Sequence, residues 1–183
     1  MTVAITLIAR VTVGTVFAIS LASKISRWRA FASFVSWLSD LSVIPKGMET
    51  TVGIVFVAAE TSIVILLVPQ QTVDIGLLVA AATLACFVAF TYWIMRKNIG
   101  ASCHCFGPSS SLLSARHISR DLALFVLAIL GIPGAAVSSP DIRIVAVCVL
   151  IGVILALSVV FLDDLISLLP THDPDFAENR GNL

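Results

Sequence analysis

Charge is what this chain has least of. Asp, Glu, Lys and Arg make up 12% of its 183 residues, against about 25% in a soluble domain. So few charges leave most of the surface facing lipid, and a mean hydropathy of +1.06 agrees. The formal net charge is zero, so bulk charge is silent on polyanions, and no nucleic-acid partner is expected. There is no internal repeat and no low-complexity tract, which leaves one membrane domain to account for the length. The four cysteines are too few, and two of them lie too deep in apolar runs, for a secreted disulfide scaffold.

What the chain does have is long apolar runs. A bilayer core takes about 20 mostly apolar residues of helix. Five stretches qualify: roughly Val3–Ala22, Thr51–Val68, Val73–Met95, Ile118–Val137 and Ile142–Leu162. Helix follows because lipid offers no partners to open backbone groups. Ser20-Leu21-Ala22 resembles a cleavage site, yet no Lys or Arg precedes Arg10 and more spans follow, so the first stretch reads as a retained helix.

Between the first two spans, Trp28, Phe31, Phe34, Val35, Leu38 and Leu41 recur at helical spacing, with Arg27, Arg29, Ser33, Ser36 and Asp40 mainly between them. That pattern predicts a short amphipathic helix at the interface, ended by Pro45 and Gly47. Pro69-Gln70-Gln71 and Ser138-Ser139-Pro140-Asp141 read as tight links. Beyond Leu162 the chain turns acidic and proline-containing, as a mobile tail does. The expected fold is an all-α integral membrane protein. It comprises a four-helix transmembrane bundle, a fifth transmembrane helix and a short interfacial helix, with one transmembrane domain over 1–162 and a tail over 163–183. The expected location is a cell membrane, multi-pass, taken as the bacterial cytoplasmic membrane.

Arg10 and Glu60 fall inside apolar spans. A charge near the bilayer centre costs about 3 kcal/mol on insertion scales, so each needs a partner or a wet cavity. At about 1.5 Å per residue, their depths nearly match on antiparallel spans, which predicts an Arg10–Glu60 ion pair. The alternatives are that Arg10 snorkels to the near interface while Glu60 is protonated, or that Glu60 serves a proton relay.

The loop from Arg96 to His117 carries Cys103-His104-Cys105-Phe106-Gly107-Pro108. Cations favour the reactive thiolate, and Arg96, Lys97, Arg116 and His117 are close in sequence. A Cys-x-Cys disulfide closes a small strained ring, and strain eases reduction. The pair therefore suits electron exchange better than bracing. Phe106, Gly107 and Pro108 would shape a tight turn, and His104 or His117 would assist proton transfer. Soft-metal capture by Cys103, Cys105, His104 and His117 competes, although closed zinc sites usually space cysteines by two to four residues; no metal site is assigned. Two inert cysteines are the third alternative. Cys86 and Cys148, inside apolar spans, are expected to pack as small apolar core residues. Tyr92 and Trp93 read as interfacial anchors, with a quinone pocket as the lesser alternative.

Arg10 with Gly14 and Phe17, then Lys24, resembles the opening of the methylamine utilisation protein MauE and its DoxX-like relatives. Glu60, Cys103-x-Cys105-Phe106-Gly107 and Arg120-Asp121-Leu122-Ala123-Leu124 fit the same pattern, over roughly Val3 to Val137; Asp121 stands where Asn is expected. The resemblance implies a membrane thiol–disulfide partner in maturation of methylamine dehydrogenase, whose small subunit is rich in disulfides, of a kind that serves a thioredoxin-like protein. It does not imply that this chain handles methylamine. The architecture is broadly similar to quinone-linked disulfide-forming membrane proteins, including vitamin K epoxide reductase, an analogy of fold only. Arg10, Lys24, Glu60, Phe106, Gly107 and Arg120 are the expected supporting residues.

Sidedness is in conflict. With five spans, Lys24, Arg27, Arg29, Lys46, Arg96, Lys97, Arg116 and Arg120 share one side with both loops, and the positive-inside rule puts the cysteines in the cytoplasm. Disulfide formation in exported proteins puts them outside. The function expected is thiol–disulfide exchange with a thiol-containing partner protein, with no certain cofactor and a quinone as candidate acceptor. The competing functions are a non-enzymatic scaffold or assembly factor, and soft-metal binding.

Overall fold

A computed structural model of the chain describes residues 2–26, 28–40, 47–96, 115–132 and 141–168. They form six α-helices: α1 (Thr2–Ile25), α2 (Trp28–Asp40), α3 (Glu49–Leu67), α4 (Val73–Arg96), α5 (Ala115–Gly131) and α6 (Ile142–Leu168). A 3-10 turn, Gln70–Thr72, joins α3 to α4. No strand occurs among the described residues.

Among the described residues, four helical stretches are long and apolar enough to cross a membrane: Val3–Ile25, Glu49–Leu67, Gln70–Arg96 and Ile142–Phe161. Five were expected. The remaining one, Ile118–Val137, corresponds to α5, which is 17 residues long and carries Arg116, His117, Arg120 and Asp121 in its first two turns. Its apolar part is therefore short, and Pro133 follows its end closely, where helix is disfavoured. At the other boundary, α6 continues past Leu162 to Leu168.

Helix α1 is the hub. It packs on α6, α3 and α5, while α4 packs on α5 and α3. The core joins Ala9, Val13 and Phe17 of α1 to Ile63 and Leu67 of α3, Leu77, Ala80 and Leu84 of α4, Leu124 and Ala128 of α5, and Ala156 of α6. Lipid tails are as apolar as the side chains, so helices associate through close packing and hydrogen bonds instead. Two glycines show this. A Cβ at Gly131 would stand 2.7 Å from Ala9 Cβ, and one at Gly152 would stand 2.8 Å from Val11 Cβ. The close approach lets Thr6 Oγ1 donate to the Gly131 carbonyl at 2.7 Å and Thr12 Oγ1 to the Gly152 carbonyl at 3.2 Å.

The outward faces are apolar too: Val55, Ile65, Leu78 and Leu150 are exposed, the face that lipid covers. Cys148 is buried, as expected of a core residue, but Cys86 is exposed. The expectation for Cys86 is corrected. In a helix apolar all round, composition does not separate the lipid face from the bundle face.

Helix α2 is amphipathic as its sequence predicts. Phe34 and Leu38 are buried, and Ser33, Ser36 and Ser39 are exposed. It packs on α3 and α1, where Gly53 makes room: a Cβ there would stand 3.2 Å from Val35 Cγ2. Gly47 takes the left-handed turn into α3 (φ +95°), and its N–H donates to Glu49 Oε2 at 2.7 Å.

Candidate functional site

Cα–Cβ bonds tilt toward a helix's N-terminus, and that direction decides which charges meet. Lys24, at the end of α1, reaches back into the bundle. Glu60, on the antiparallel α3, leans toward it. Lys24 Nζ lies 2.7 Å from Glu60 Oε1, and both side chains are 2% exposed. Ser20 completes the cluster: its hydroxyl donates to Glu60 Oε1 at 2.9 Å and accepts from Lys24 Nζ at 2.8 Å. Glu60 Oε2 is buried with no protein partner among the described residues.

The same tilt carries Arg10 the other way, so the expected Arg10–Glu60 pair does not form. Arg10 caps the far end of α3. Its Nε donates to the Leu67 carbonyl at 2.7 Å, one terminal nitrogen to Val68 O and the other to Gln70 Oε1 at 2.7 Å. Leu67 and Val68 carry carbonyls left over at a helix C-terminus, where a cation is favoured. Arg10 extends toward the start of its own span, the direction that the snorkelling alternative requires. The depth comparison failed because it placed Cα atoms, while the charged tips stand about a helical turn away.

Aromatic rings seal the Lys24 side. The Phe34 ring of α2 lies 5.4 Å from Lys24 Nζ, within cation–π range. Phe34 meets Phe56 of α3 edge-to-face with centroids 6.1 Å apart, and Phe56 meets Phe87 of α4 at 4.8 Å.

Phe87 also lines a cavity of about 40 Å³, as do Ser20, Glu60, Leu84, Arg120, Asp121 and Leu124. Arg120 and Asp121, neighbours in the second turn of α5, form a second ion pair on one wall of it, Nε to Oδ1 at 3.1 Å, with side chains 10% and 12% exposed. Thus α1, α3, α4 and α5 enclose one small, mostly apolar space that Ser20, Glu60, Arg120 and Asp121 supply with polar groups. Such a space can hold water and move a proton; its volume is far below the roughly 150 Å³ of an apolar cavity that takes benzene, so a quinone ring does not fit there.

The structure brings Lys24, Glu60 and Arg120 of the expected supporting residues together and leaves Arg10 apart. Cys103, His104, Cys105, Phe106 and Gly107 lie outside the described residues, as does the His117 side chain. Ser20, Phe34 and Asp121 are site residues that sequence reasoning did not assign. The signal for Ser20 was its i, i+4 spacing to Lys24 on one helical face. At the loop end of α4, Tyr92 and Trp93 are exposed, and the Arg96 guanidinium stands 5.9 Å from the Tyr92 ring, in keeping with interfacial anchoring. Among the described residues no group of three or more His, Cys, Asp or Glu could hold a metal ion.

Long apolar helices packed round a sealed ion pair define a multi-pass helical membrane protein. Residues 2–134 match the family described as methylamine utilisation protein MauE, and the chain belongs to that family. The match takes in α1 to α5 and ends before α6. Comparisons with curated proteins and with solved structures gave no match.

Proposed function

We propose that this protein is a membrane thiol–disulfide redox protein, and that Cys103 and Cys105 exchange electrons with a thiol-containing partner protein of thioredoxin-like chemistry, in maturation of disulfide-containing proteins of methylamine utilisation. One observation carries the reading. The cavity is lined from α4 by Leu84 and Phe87 at mid-helix and from α5 by Arg120 and Asp121 in its second turn, and α4 and α5 are the two helices that the Cys-x-Cys segment joins. Arg96 and Arg120, on the helices flanking that segment, supply cations, which favour thiolate formation. The family match supports the setting.

A partner thiolate attacks one sulfur of the Cys103–Cys105 disulfide, forming a mixed disulfide and releasing the other cysteine as a thiolate. The partner's second thiolate then resolves it. The partner loses two electrons and two protons and gains a disulfide; Cys103 and Cys105 gain both and become thiols. The reverse direction reduces a partner. His104 is the nearest candidate for proton transfer. The described cavity does not accommodate a quinone, and no step is routed through one.

With α5 counted as a crossing, loops one and three share a side. Trapping tests the function. In Cys103→Ser and in Cys105→Ser, one variant should accumulate a partner through the remaining thiol, and reductant should release it. Full activity in the double variant with no adduct in either single one overturns the reading in favour of a non-catalytic assembly factor. Stoichiometric zinc or copper lost on the same substitutions would point to soft-metal binding.

A further inference from the structure

Thiol exchange by itself does not call on Glu60, yet this carboxylate is held deep in the bundle with one oxygen, Oε2, unsatisfied by protein among the described residues. A buried polar atom left without a partner costs on the order of 1–3 kcal/mol. Glu60 lines the cavity of about 40 Å³, and at about 10–15 Å³ of such space per water roughly three waters fit. Asp121 and Arg120 line the same space from α5.

We propose that this cavity is a hydrated proton-exchange site, in which waters link Glu60 Oε2 to the Asp121 carboxylate and Glu60 takes up and releases one proton. Every charged group that faces Glu60 among the described residues fits the assignment. Lys24 of α1 donates to Oε1, not Oε2. Arg120 of α5 is engaged with Asp121 Oδ1. Helix α4 contributes Leu84 and Phe87, and α2 contributes Phe34 beyond Lys24, none of them titratable. Oε2 is therefore the oxygen open to water. Asp121, 12% exposed against 2% for Glu60, is the wetter end.

The step moves no electron: a carboxylate plus a proton becomes a carboxylic acid, and release restores it. Its use rests on the thiol reading. A proton leaving a partner thiol is stored on Glu60 and returned to a cysteine thiolate, so the site ends each cycle unchanged.

The experiment is infrared spectroscopy of the full-length protein in phosphatidylcholine vesicles, recorded as pH is lowered, in H2O and in D2O. The expected result is a carboxylic acid C=O band that shifts in D2O and is lost in Glu60→Gln. Its hydrogen–deuterium exchange should slow by about tenfold or more in Val16→Leu and Leu124→Phe, since both residues line the cavity and the larger side chains fill the space a water path needs. Should Glu60→Gln fail to fold, Glu60→Asp replaces it, and a moved band supports the assignment. An unchanged band in the Glu60 variant, or unslowed exchange in both filled variants, overturns the proposal. The Cys103→Ser/Cys105→Ser protein should keep the band, so loss of the thiol reading and loss of this site are separate outcomes.

Discussion

Lys24 and Glu60 form a contact ion pair of 2.7 Å inside the helix bundle, held by the Ser20 hydroxyl between them. The pair joins the C-terminal end of α1 to α3 and is capped by Phe34 of α2. Three helices therefore meet at one charge cluster. Buried pairs are weak net stabilisers but strong constraints: the desolvation of both ions offsets most of their attraction, while loss of one partner leaves a bare charge.

Lys24→Met should accordingly destabilise the protein by roughly 3–5 kcal/mol, the cost of orphaning a buried charge. Lys24→Met/Glu60→Leu should recover most of that loss. Thermal unfolding in a mild detergent reads both. A double variant no better than the single one would mean that the pair fixes geometry that apolar packing cannot replace.

Arg10 gives the contrasting case. Its three hydrogen bonds go to the end of α3 and to Gln70, and hydrogen bonds to a charged group contribute about 1.5–3 kcal/mol. Arg10→Ala should lower stability by about 2 kcal/mol, and Arg10→Lys by a large part of that, since an ammonium lacks the planar fork. In a double-mutant cycle Arg10→Ala and Glu60→Gln should add to within about 0.5 kcal/mol, whereas Lys24→Met and Glu60→Gln should show strong coupling. Coupling of comparable size in the Arg10 cycle would restore the ion pair that the sequence predicted.

These two residues also show what was legible in the sequence. The first three spans and the α2 amphipath were readable because lipid and interface impose their own periodicities and lengths on the chain. That Arg10 and Glu60 needed partners was readable from the cost of charge in hydrocarbon. Which partner each takes was not, because long side chains displace charge along the helix in a direction set by Cα–Cβ tilt. Lys24 looked like an interfacial cation and turned out 2% exposed. Of the five expected crossings, four are long and apolar enough among the described residues; the other, α5, opens with Arg120 and Asp121, which belong to the cavity. The exposure of Cys86 was invisible, since Thr83, Cys86 and Phe87 offer no contrast in hydrophobicity to orient α4.

The α2 helix should act as a cover. Phe34→Ala removes the ring over Lys24 Nζ and the edge-to-face contact with Phe56. Truncation of a buried Phe costs about 3–5 kcal/mol in a well-packed core, and a cost toward the low end is expected here because α2 packs only on α3 and α1 among the described elements. Amide exchange should rise in α2 and at the C-terminal turn of α1 while α6 stays protected. Uniform loss of protection across all helices would show that α2 is integral to the bundle rather than a cover on it.

The α1–α6 seam makes the last prediction, and it concerns a helix beyond the family match. A side chain at Gly152 would meet Val11 Cβ and Cγ1 at 2.8 Å and the Ile8 carbonyl at 3.3 Å, with backbone on one side and a branched, stiff side chain on the other. Neither can give way cheaply. Gly152→Ala should therefore separate the helices and break the Thr12 hydrogen bond to the Gly152 carbonyl, at about 1–3 kcal/mol for overpacking. Gly152→Val should cost more. If α6 is a permanent member of the fold, both variants lower the unfolding temperature of the whole protein in one transition. If α6 docks as a separable unit, they leave the α1–α5 transition in place and expose only α6 to proteolysis. Val11→Ala in the Gly152→Ala background should restore only part of the stability, because it removes Cγ1 but keeps the Val11 Cβ that the new methyl group meets at 2.8 Å.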